Sequence, residues 1–137
     1  RWWEDIEWRG STACYFANCK DPDSPLDWGV PDEPNDDPSL DIDDTNGAGP
    51  ENINLDSPEE TATYGPHGAY RVGVYYYSDA GYGLSIVTVR IYIGGVVAFD
   101  DSRRLAETGE HWYAADILWE NGRGEVVPTN VPVYERE

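Results

Sequence analysis

The feature that most constrains the fold is a two-residue alternation of apolar and polar side chains in the second half of the chain. The alternation runs through residues 70–76, 84–93 and 112–119. A period of two is typical of β-strands whose two faces meet different surroundings. Gly94-Gly95 is predicted to form a two-residue hairpin turn, because glycine adopts positive φ without steric cost. No window carries a sustained helical stripe, so we predict an all-β fold, an antiparallel β-sandwich of the Ig-like or jelly-roll-like type.

A long segment of different character precedes these strands. Residues 20–39 contain five prolines and many aspartates. Proline fixes φ and lacks the amide hydrogen, which argues against a helix or a central strand and predicts a long Pro/Asp-rich loop. The chain is predicted to form one β-sandwich domain over residues 1–124. An extended tail or exchange arm is predicted at 125–137, where Pro128 and Pro132 permit pairing only at a sheet edge.

The charge of the chain limits the partners that it can have. Twenty-seven acidic residues face nine basic ones, which gives a formal net charge of −18. Nucleic acids are not expected as partners and anionic membrane surfaces are disfavoured, because both are recognised through lysine and arginine. Crowded carboxylates repel one another until a cation neutralises them, so divalent cations are the expected partners. A purely solubilising acidic surface is the alternative, and the clustering of the carboxylates decides between the two.

The acidic residues cluster in the segment 36–52. Aliphatic and acidic residues alternate over 40–43, which predicts a short strand, and glycines at 47 and 49 then turn the chain back. Carboxylates, amides and exposed carbonyls are the oxygen ligands that calcium prefers. The spacing does not match an EF-hand, and an acidic loop held by Asx hydrogen bonds is the alternative. The residues predicted to bind Ca²⁺ are Asp37, Asp41, Asp43, Asp44, Asn46, Glu51 and Asn52.

Two cysteines, Cys14 and Cys19, are separated by four residues. This spacing suits a disulfide-closed loop, whereas a zinc site would need two further soft ligands and only His67 and His111 are available. We therefore predict a disulfide, with two reduced structural thiols as the alternative. Disulfides persist in oxidising compartments, so the expected location is secreted or at the cell surface. Insertion into a membrane is not expected, because no apolar run approaches the ~20 residues of a membrane span.

Three segments carry a combined pattern that is specific to one family. They are Asp-Asp-Pro-Ser-Leu-Asp-Ile-Asp-Asp-Thr-Asn-Gly-Ala-Gly-Pro-Glu-Asn-Ile-Asn-Leu at 36–55, Tyr-Arg-Val-Gly-Val-Tyr-Tyr-Tyr-Ser-Asp at 70–79 and Val-Thr-Val-Arg-Ile-Tyr-Ile-Gly-Gly at 87–95. Together with shorter runs at 14–19, 27–29 and 112–119, they resemble the YfaP-type bacterial domains over residues 12–120. The resemblance implies an exported β-sandwich module of a large surface protein.

One departure from this family concerns the beginning of the sequence. YfaP-type domains open with further strands that include an Asp-x-Asp-Leu-His run, and nothing in residues 1–10 matches it. The resemblance therefore implies a domain that lacks an N-terminal strand, or one whose missing strand comes from a neighbour.

The two histidines do not predict catalysis. His67 lies in a Gly-Pro-His-Gly turn and His111 opens a strand, and neither has a nucleophile elbow or a metalloprotease pattern nearby. Pairs of carboxylates are expected by chance in so acidic a chain, so they do not indicate a glycosidase. We predict that the protein is not an enzyme.

Two non-catalytic functions remain. The first is a calcium-stabilised structural module that associates with itself or with neighbouring domains in a surface structure or filament, since an open sheet edge is a template for another strand. The second is a calcium-dependent glycan-binding or adhesion module, in which aromatic rings stack on sugars; packing in the core or at sheet edges is the alternative role for these rings. The predicted ligand or partner contacts are Trp28, Tyr75, Tyr77 and Tyr82, within a wider set that adds Trp2, Trp3 and Trp8.

Overall fold

The protein is described by a computed structural model that covers residues 2–15, 17–19, 26–33, 35, 37–42, 51–64, 67–78, 81 and 83–135, and only the backbone of 41, 42 and 64. Strands predominate in these residues, all of them antiparallel, which confirms the predicted all-β fold. The elements are a 3-10 helix at Trp2–Asp5, β1 (Ser39–Ile42), β2 (Asn52–Asn54), a one-turn helix α1 (Thr61–Tyr64), β3 (Tyr70–Tyr75), β4 (Ser85–Ile93), β5 (Val96–Leu105), β6 (Glu110–Glu120), β7 (Arg123–Pro128) and β8 (Tyr134–Glu135).

The chain divides into two compact units. Residues Arg1–Ile6 and Glu60–Glu137 form the first, which we call the β-sandwich unit. Residues Glu7–Glu59 form the second, which we call the acidic unit. Strands β3 to β8 belong to the β-sandwich unit, and the hairpin of β1 and β2 belongs to the acidic unit.

The larger sheet of the β-sandwich unit is built around β6. Strand β3 pairs with one edge of β6, and β7 and β8 pair with successive parts of the other edge. The turn between β6 and β7 is Asn121-Gly122, with φ angles of 52° and 72°. Two positive φ angles match the right-handed twist of a two-residue hairpin, and Asn-Gly is the sequence most favoured there.

A second sheet consists of the β4–β5 hairpin. Gly94 and Gly95 form its turn with φ angles of 59° and 80°, as the sequence predicts. Side chains along β4 alternate between exposed and more buried positions, and Ile91 is buried. The less exposed face includes Val87, Val89, Ile91 and Ile93, which agrees with the alternation predicted over residues 84–93.

The core of the β-sandwich unit lies between the hairpin and the larger sheet. Leu105, Trp112 and Ala114 form its buried centre. The hydrophobic side chains packed against this centre are Val74, Tyr76, Val87, Val89, Phe99 and Val133. Because β3, β4, β5 and β6 all contribute, the contacts join two sheets face to face, which is the arrangement of a β-sandwich.

Strand β6 is buried on both faces, which the sequence pattern did not indicate. Trp112 and Ala114 face the hairpin, whereas His111 and Tyr113 alternate with Trp112 and are buried as well. The register with β3 shifts at Ala114, an extra residue in β6, so the alternation does not continue beyond it. Trp2 packs edge-to-face on Tyr113 with ring centroids 5.8 Å apart. The outer face of β6 is therefore covered in part by the 3-10 helix at Trp2–Asp5.

The predicted boundary between residues 124 and 125 falls inside β7. Residues 123–128 pair with β6, and Tyr134 pairs with His111 through β8. Val131 and Tyr134 are buried. An exchange of the segment 125–137 with a neighbouring chain would first require these pairings to open.

The acidic unit has a small core beside its disulfide. Cys14 and Cys19 are joined with their Cα atoms 5.1 Å apart, which confirms the predicted disulfide. Cys19, Leu26 and Leu40 are buried together, and Cys14 and Trp28 pack against them. Of the predicted long loop, residues 26–33, 35, 37 and 38 are described and form bends and turns; the remainder of 20–38 lies outside the described residues.

Candidate functional site

The acidic segment lies at the turn of the β1–β2 hairpin. Strand β1 pairs with β2 in the register Ser39 to Asn54, Leu40 to Ile53 and Ile42 to Asn52. Directly paired residues of antiparallel strands have Cα atoms about 4.5–5.5 Å apart. Ile42 and Asn52, which flank residues 43–51, are therefore held side by side, which agrees with the return of the chain predicted from the glycines.

Asp41 is an extra residue in β1. The register steps by two residues in β1, from Leu40 to Ile42, while it steps by one in β2. This β-bulge interrupts the alternation of aliphatic and acidic residues over 40–43, which in a regular strand would place Asp41 and Asp43 on one face. Bulges bend the strand and increase its local twist.

The structure describes the side chains of three predicted calcium ligands. Asp37 accepts a hydrogen bond from the Trp28 backbone amide at 2.6 Å. Glu51 and Asn52 are exposed at the end of the hairpin. Asp43, Asp44, Asn46 and the side chain of Asp41 lie outside the described residues.

The acidic unit carries most of the negative charge. Fourteen acidic residues and two basic ones lie in residues 7–59, a formal charge of −12 out of −18. No lysine or arginine occurs between Lys20 and Arg71 in the sequence. The carboxylates of the β1–β2 hairpin therefore have no basic residue near them in sequence, and a cation from solution is the obvious source of neutralising charge.

The ligands predicted in this hairpin are oxygen donors, which hard cations such as Ca²⁺ prefer. The predicted ligands offer carboxylate and amide oxygens, whereas zinc and copper prefer nitrogen or sulfur. Both cysteines are held in the disulfide and so are withdrawn from metal binding. Within the described ranges, no group of three or more His, Cys, Asp or Glu side chains converges as metal ligands do. The donor set of the hairpin fits Ca²⁺ by its chemistry.

Trp28 is anchored inside the acidic unit. Its indole Nε1 donates a hydrogen bond to the Thr12 carbonyl oxygen at 2.9 Å, and its backbone amide donates to Asp37. The ring packs against the core of Cys19, Leu26 and Leu40. These contacts give Trp28 a structural role in holding the segment that leads into β1.

The predicted tyrosine contacts have different environments in the β-sandwich unit. The Tyr75 ring stacks on the His111 imidazole with centroids 4.6 Å apart, and His111 stacks in turn on Tyr134 at 5.4 Å. Tyr77 has 61% of its surface exposed, and Tyr82 lies outside the described residues. The stack of Tyr75, His111 and Tyr134 joins β3, β6 and β8, so it fastens the last strand to the sheet.

A polar group on the outer face of β6 was not predicted from the sequence. The Tyr113 hydroxyl donates a hydrogen bond to the Asp116 carboxylate, and the Arg71 guanidinium lies over the Trp2 ring at 5.8 Å. Burial, together with the hydrogen bond to Asp116, raises the pKa of Tyr113 well above its usual value. Tyr113 is therefore a neutral hydrogen-bond donor at physiological pH.

Three glutamates meet where β8 joins the sheet. Glu110 pairs with Glu135 across β6 and β8, and the Glu110 carboxylate accepts a hydrogen bond from the Glu107 backbone amide at 3.0 Å. A hydrogen bond to Glu107 and the negative charge of that residue raise the pKa of Glu135. Burial and the charge of Glu110 act in the same direction.

This pKa shift predicts that β8 docks more weakly as the pH rises. A glutamate whose pKa is raised by folding stabilises the fold below its ordinary pKa and loses that contribution as pH rises through the raised value. Glu135→Gln should remove this pH-dependent loss of stability, because glutamine keeps a hydrogen-bonding group but carries no charge. We expect the thermal midpoint of the wild type to fall relative to that of Glu135→Gln as the pH rises above the ordinary pKa of a glutamate.

Thermal unfolding of both proteins across this pH range is the measurement. Glu125→Gln, which neutralises another exposed glutamate of the same sheet, is the control. Parallel pH profiles for wild type and Glu135→Gln would contradict the role of the Glu107–Glu135 pair.

The fold and the cysteine pairing together define an all-β, sandwich-type protein with a disulfide. Comparison with protein-family models, with curated proteins and with solved structures finds no match to this chain. No helix in the described residues is long and apolar enough to cross a membrane.

Proposed function

We propose that this chain is a non-catalytic, calcium-stabilised structural module of an extracellular or cell-surface assembly. The observation that carries the proposal is the pairing of Ile42 with Asn52, which brings together the ends of β1 and β2 on either side of residues 43–51. The side chains that would hold the ion are Asp41, Asp43, Asp44, Asn46, Glu51 and Asn52, with Asp37 from the preceding segment. The resemblance to YfaP-type domains agrees with this proposal.

The energetic reason for calcium is repulsion between carboxylates. Asp41, Asp43, Asp44 and Glu51 lie within eleven residues and have no basic neighbour in sequence. Closing the hairpin brings these charges closer than they are in the unfolded chain, and this opposes folding until a cation neutralises them. The ion would supply only charge and coordination, so its effect is on the stability of the hairpin.

The disulfide supports an extracellular setting. The Cys14–Cys19 bond closes a short loop next to β1, and such bonds persist in oxidising compartments. The backbone amide of Leu40 donates to the Cys19 carbonyl oxygen at 2.8 Å, so the disulfide loop is attached to the strand that leads into the acidic segment. This arrangement supports a structural role, in which the disulfide and the ion stabilise the same hairpin.

Calcium titration of chelator-treated protein tests the proposal. We expect the thermal midpoint to rise with calcium, because a ligand that binds only the folded state stabilises it by about 2.7 kcal/mol at a hundred times its dissociation constant. Asp43→Asn/Asp44→Asn should abolish most of this calcium-induced rise in thermal midpoint. The charge-matched control is Asp21→Asn/Asp23→Asn, which should keep it.

Two further controls separate binding from simple screening. Sodium chloride at matched ionic strength screens the same repulsion without coordination, and magnesium tests whether a smaller dication suffices. A midpoint that rises equally in sodium chloride, or that stays constant up to millimolar calcium, would end the calcium proposal.

Assembly is the second part of the proposal and is tested separately. We expect purified protein to elute as dimers or larger species in size exclusion with light scattering, and to form ordered particles in negative stain. A strictly monomeric protein, with or without calcium, would contradict assembly but not calcium binding.

A further inference from the structure

The outer edge of β4 is the best-formed site for another strand in the β-sandwich unit. In the residues that the structure describes, β4 pairs with a single strand, β5. Seven of the nine residues from Ser85 to Ile93 are β-branched or aromatic, and Arg90 is the single charged one. A long, regular and mostly apolar edge strand is a template for pairing with another chain.

The other edge strands of this unit carry features that discourage pairing. Strand β5 has an extra residue, Ala98, where its register shifts, and four charged residues follow at 100, 101, 103 and 104. Strand β3 has six residues and contains Gly73, and β7 contains Gly124 and ends at Pro128. Bulges, charges, proline and short length are the devices that protect sheet edges, and β4 has none of them except Arg90.

We propose that β4 pairs edge to edge with β4 of a second copy of this chain, antiparallel and centred on Val89. This inference deepens the assembly part of the proposed function and rests on it. In this register Ile86 lies opposite Tyr92 of the second copy, and Thr88 lies opposite Arg90. The two hairpins would form one four-stranded sheet in the order β5, β4, β4, β5.

The register is self-complementary in shape and polarity. Ile86 and Tyr92 are exposed to 66% and 59%, and the twofold pairing places these apolar side chains against each other. Aliphatic–aromatic pairs are among the favourable cross-strand contacts. Arg90 faces Thr88 and not a second arginine, so no like charges oppose each other. Each contact occurs twice, because a twofold interface is made of the same patch on both copies.

The charge distribution also favours this surface for contact between copies. Residues 84–105 contain three arginines and two aspartates, a formal charge of +1, whereas the remainder of the chain carries −19. Arg90 and Asp100 are 3.4 Å apart, and Arg103 and Asp101 are 2.6 Å apart. Two copies that meet through this hairpin thus avoid the repulsion that most other surfaces of so acidic a chain would meet.

A charge-swap series tests the register. Ile86→Lys/Tyr92→Lys places lysine opposite lysine at both outer pairs, and we expect the dissociation constant of the dimer to rise by at least about tenfold. Ile86→Lys/Tyr92→Glu places lysine opposite glutamate and should associate as the wild type does. Both positions are exposed, so both variants should fold, which circular dichroism checks. Val96→Lys/Val97→Lys, on exposed positions of the same hairpin, is the control and should remain associated.

Size exclusion with light scattering on the full chain gives distinct outcomes. If Ile86→Lys/Tyr92→Lys associates as strongly as the wild type, pairing through β4 is overturned. Assembly through another surface would then still stand. Loss of association in both variants at positions 86 and 92 would overturn the proposed register, because lysine at 86 and glutamate at 92 are complementary in that register. A monomeric wild type would overturn this inference together with the assembly part of the proposed function.

Discussion

Replacement of Trp112 with alanine is expected to lower the free energy of unfolding of the β-sandwich unit by about 3–5 kcal/mol. Trp112 is 2% exposed at the centre of the core between the two sheets. Its removal leaves a cavity lined by Leu105 and Ala114 and by side chains of both sheets, which relax only in part. The ring also lies 5.3 Å from the Arg103 guanidinium, so a cation–π contact is lost as well.

Denaturant unfolding of wild type and Trp112→Ala measures this difference. Trp2→Ala is the control, since Trp2 belongs to the same unit but has 56% of its surface exposed. Its loss removes an edge-to-face contact with Tyr113, for which about 1 kcal/mol is expected. Equal destabilisation by the two substitutions would contradict the assignment of Trp112 to the centre of the core.

The hairpin of β4 and β5 could be predicted from sequence because every local signal agrees there. β-Branched residues alternate in period two, and Gly94-Gly95 supplies the positive φ angles that the turn requires. The β6–β7 hairpin had an equally good signal in Asn121-Gly122, but Pro128 led to the prediction of a tail. Proline is compatible with β7 because it stands at the last residue of this edge strand.

The burial of β6 on both faces could not be predicted from periodicity. Residues 111–115 read His-Trp-Tyr-Ala-Ala, and a strand covered on both sides no longer alternates. The layer on the outer face includes Trp2, more than a hundred residues away in sequence. Such long-range coverage has no local signature.

The candidate calcium site was predicted in part. The alternation at 40–43 and the following glycines indicated a strand and a return, and the pairing of β1 with β2 confirms both. The bulge at Asp41 was not indicated, because an extra residue in one strand depends on the register of its partner. The role of Asp37 in holding the Trp28 backbone was also missed, since it joins residues nine apart in an irregular segment. The choice of metal remains a prediction.

Removal of the disulfide is expected to destabilise the acidic unit and to weaken its response to calcium. Cys14→Ala/Cys19→Ala frees the short loop in the unfolded chain, which costs about 2–3 kcal/mol of stability. Cys19 is completely buried against Leu26 and Leu40, so the substitution also leaves a small cavity. Because the Cys19 carbonyl oxygen accepts a hydrogen bond from the Leu40 amide, β1 should loosen where it leads into the acidic segment.

Two measurements distinguish this coupling from a general loss of stability. Hydrogen exchange at the Leu40 amide should accelerate in the double variant, while exchange in β4 and β5 of the β-sandwich unit should stay close to that of the wild type. The calcium-induced rise in thermal midpoint should shrink, because part of the binding free energy is then spent on ordering β1. Reductant is the control: it should shift the wild type towards the variant and leave the variant unchanged, because reduction opens the loop but leaves the Cys19 side chain in the core. An undiminished calcium response would show that the acidic hairpin is formed independently of Cys19, and that the disulfide stabilises only its own loop.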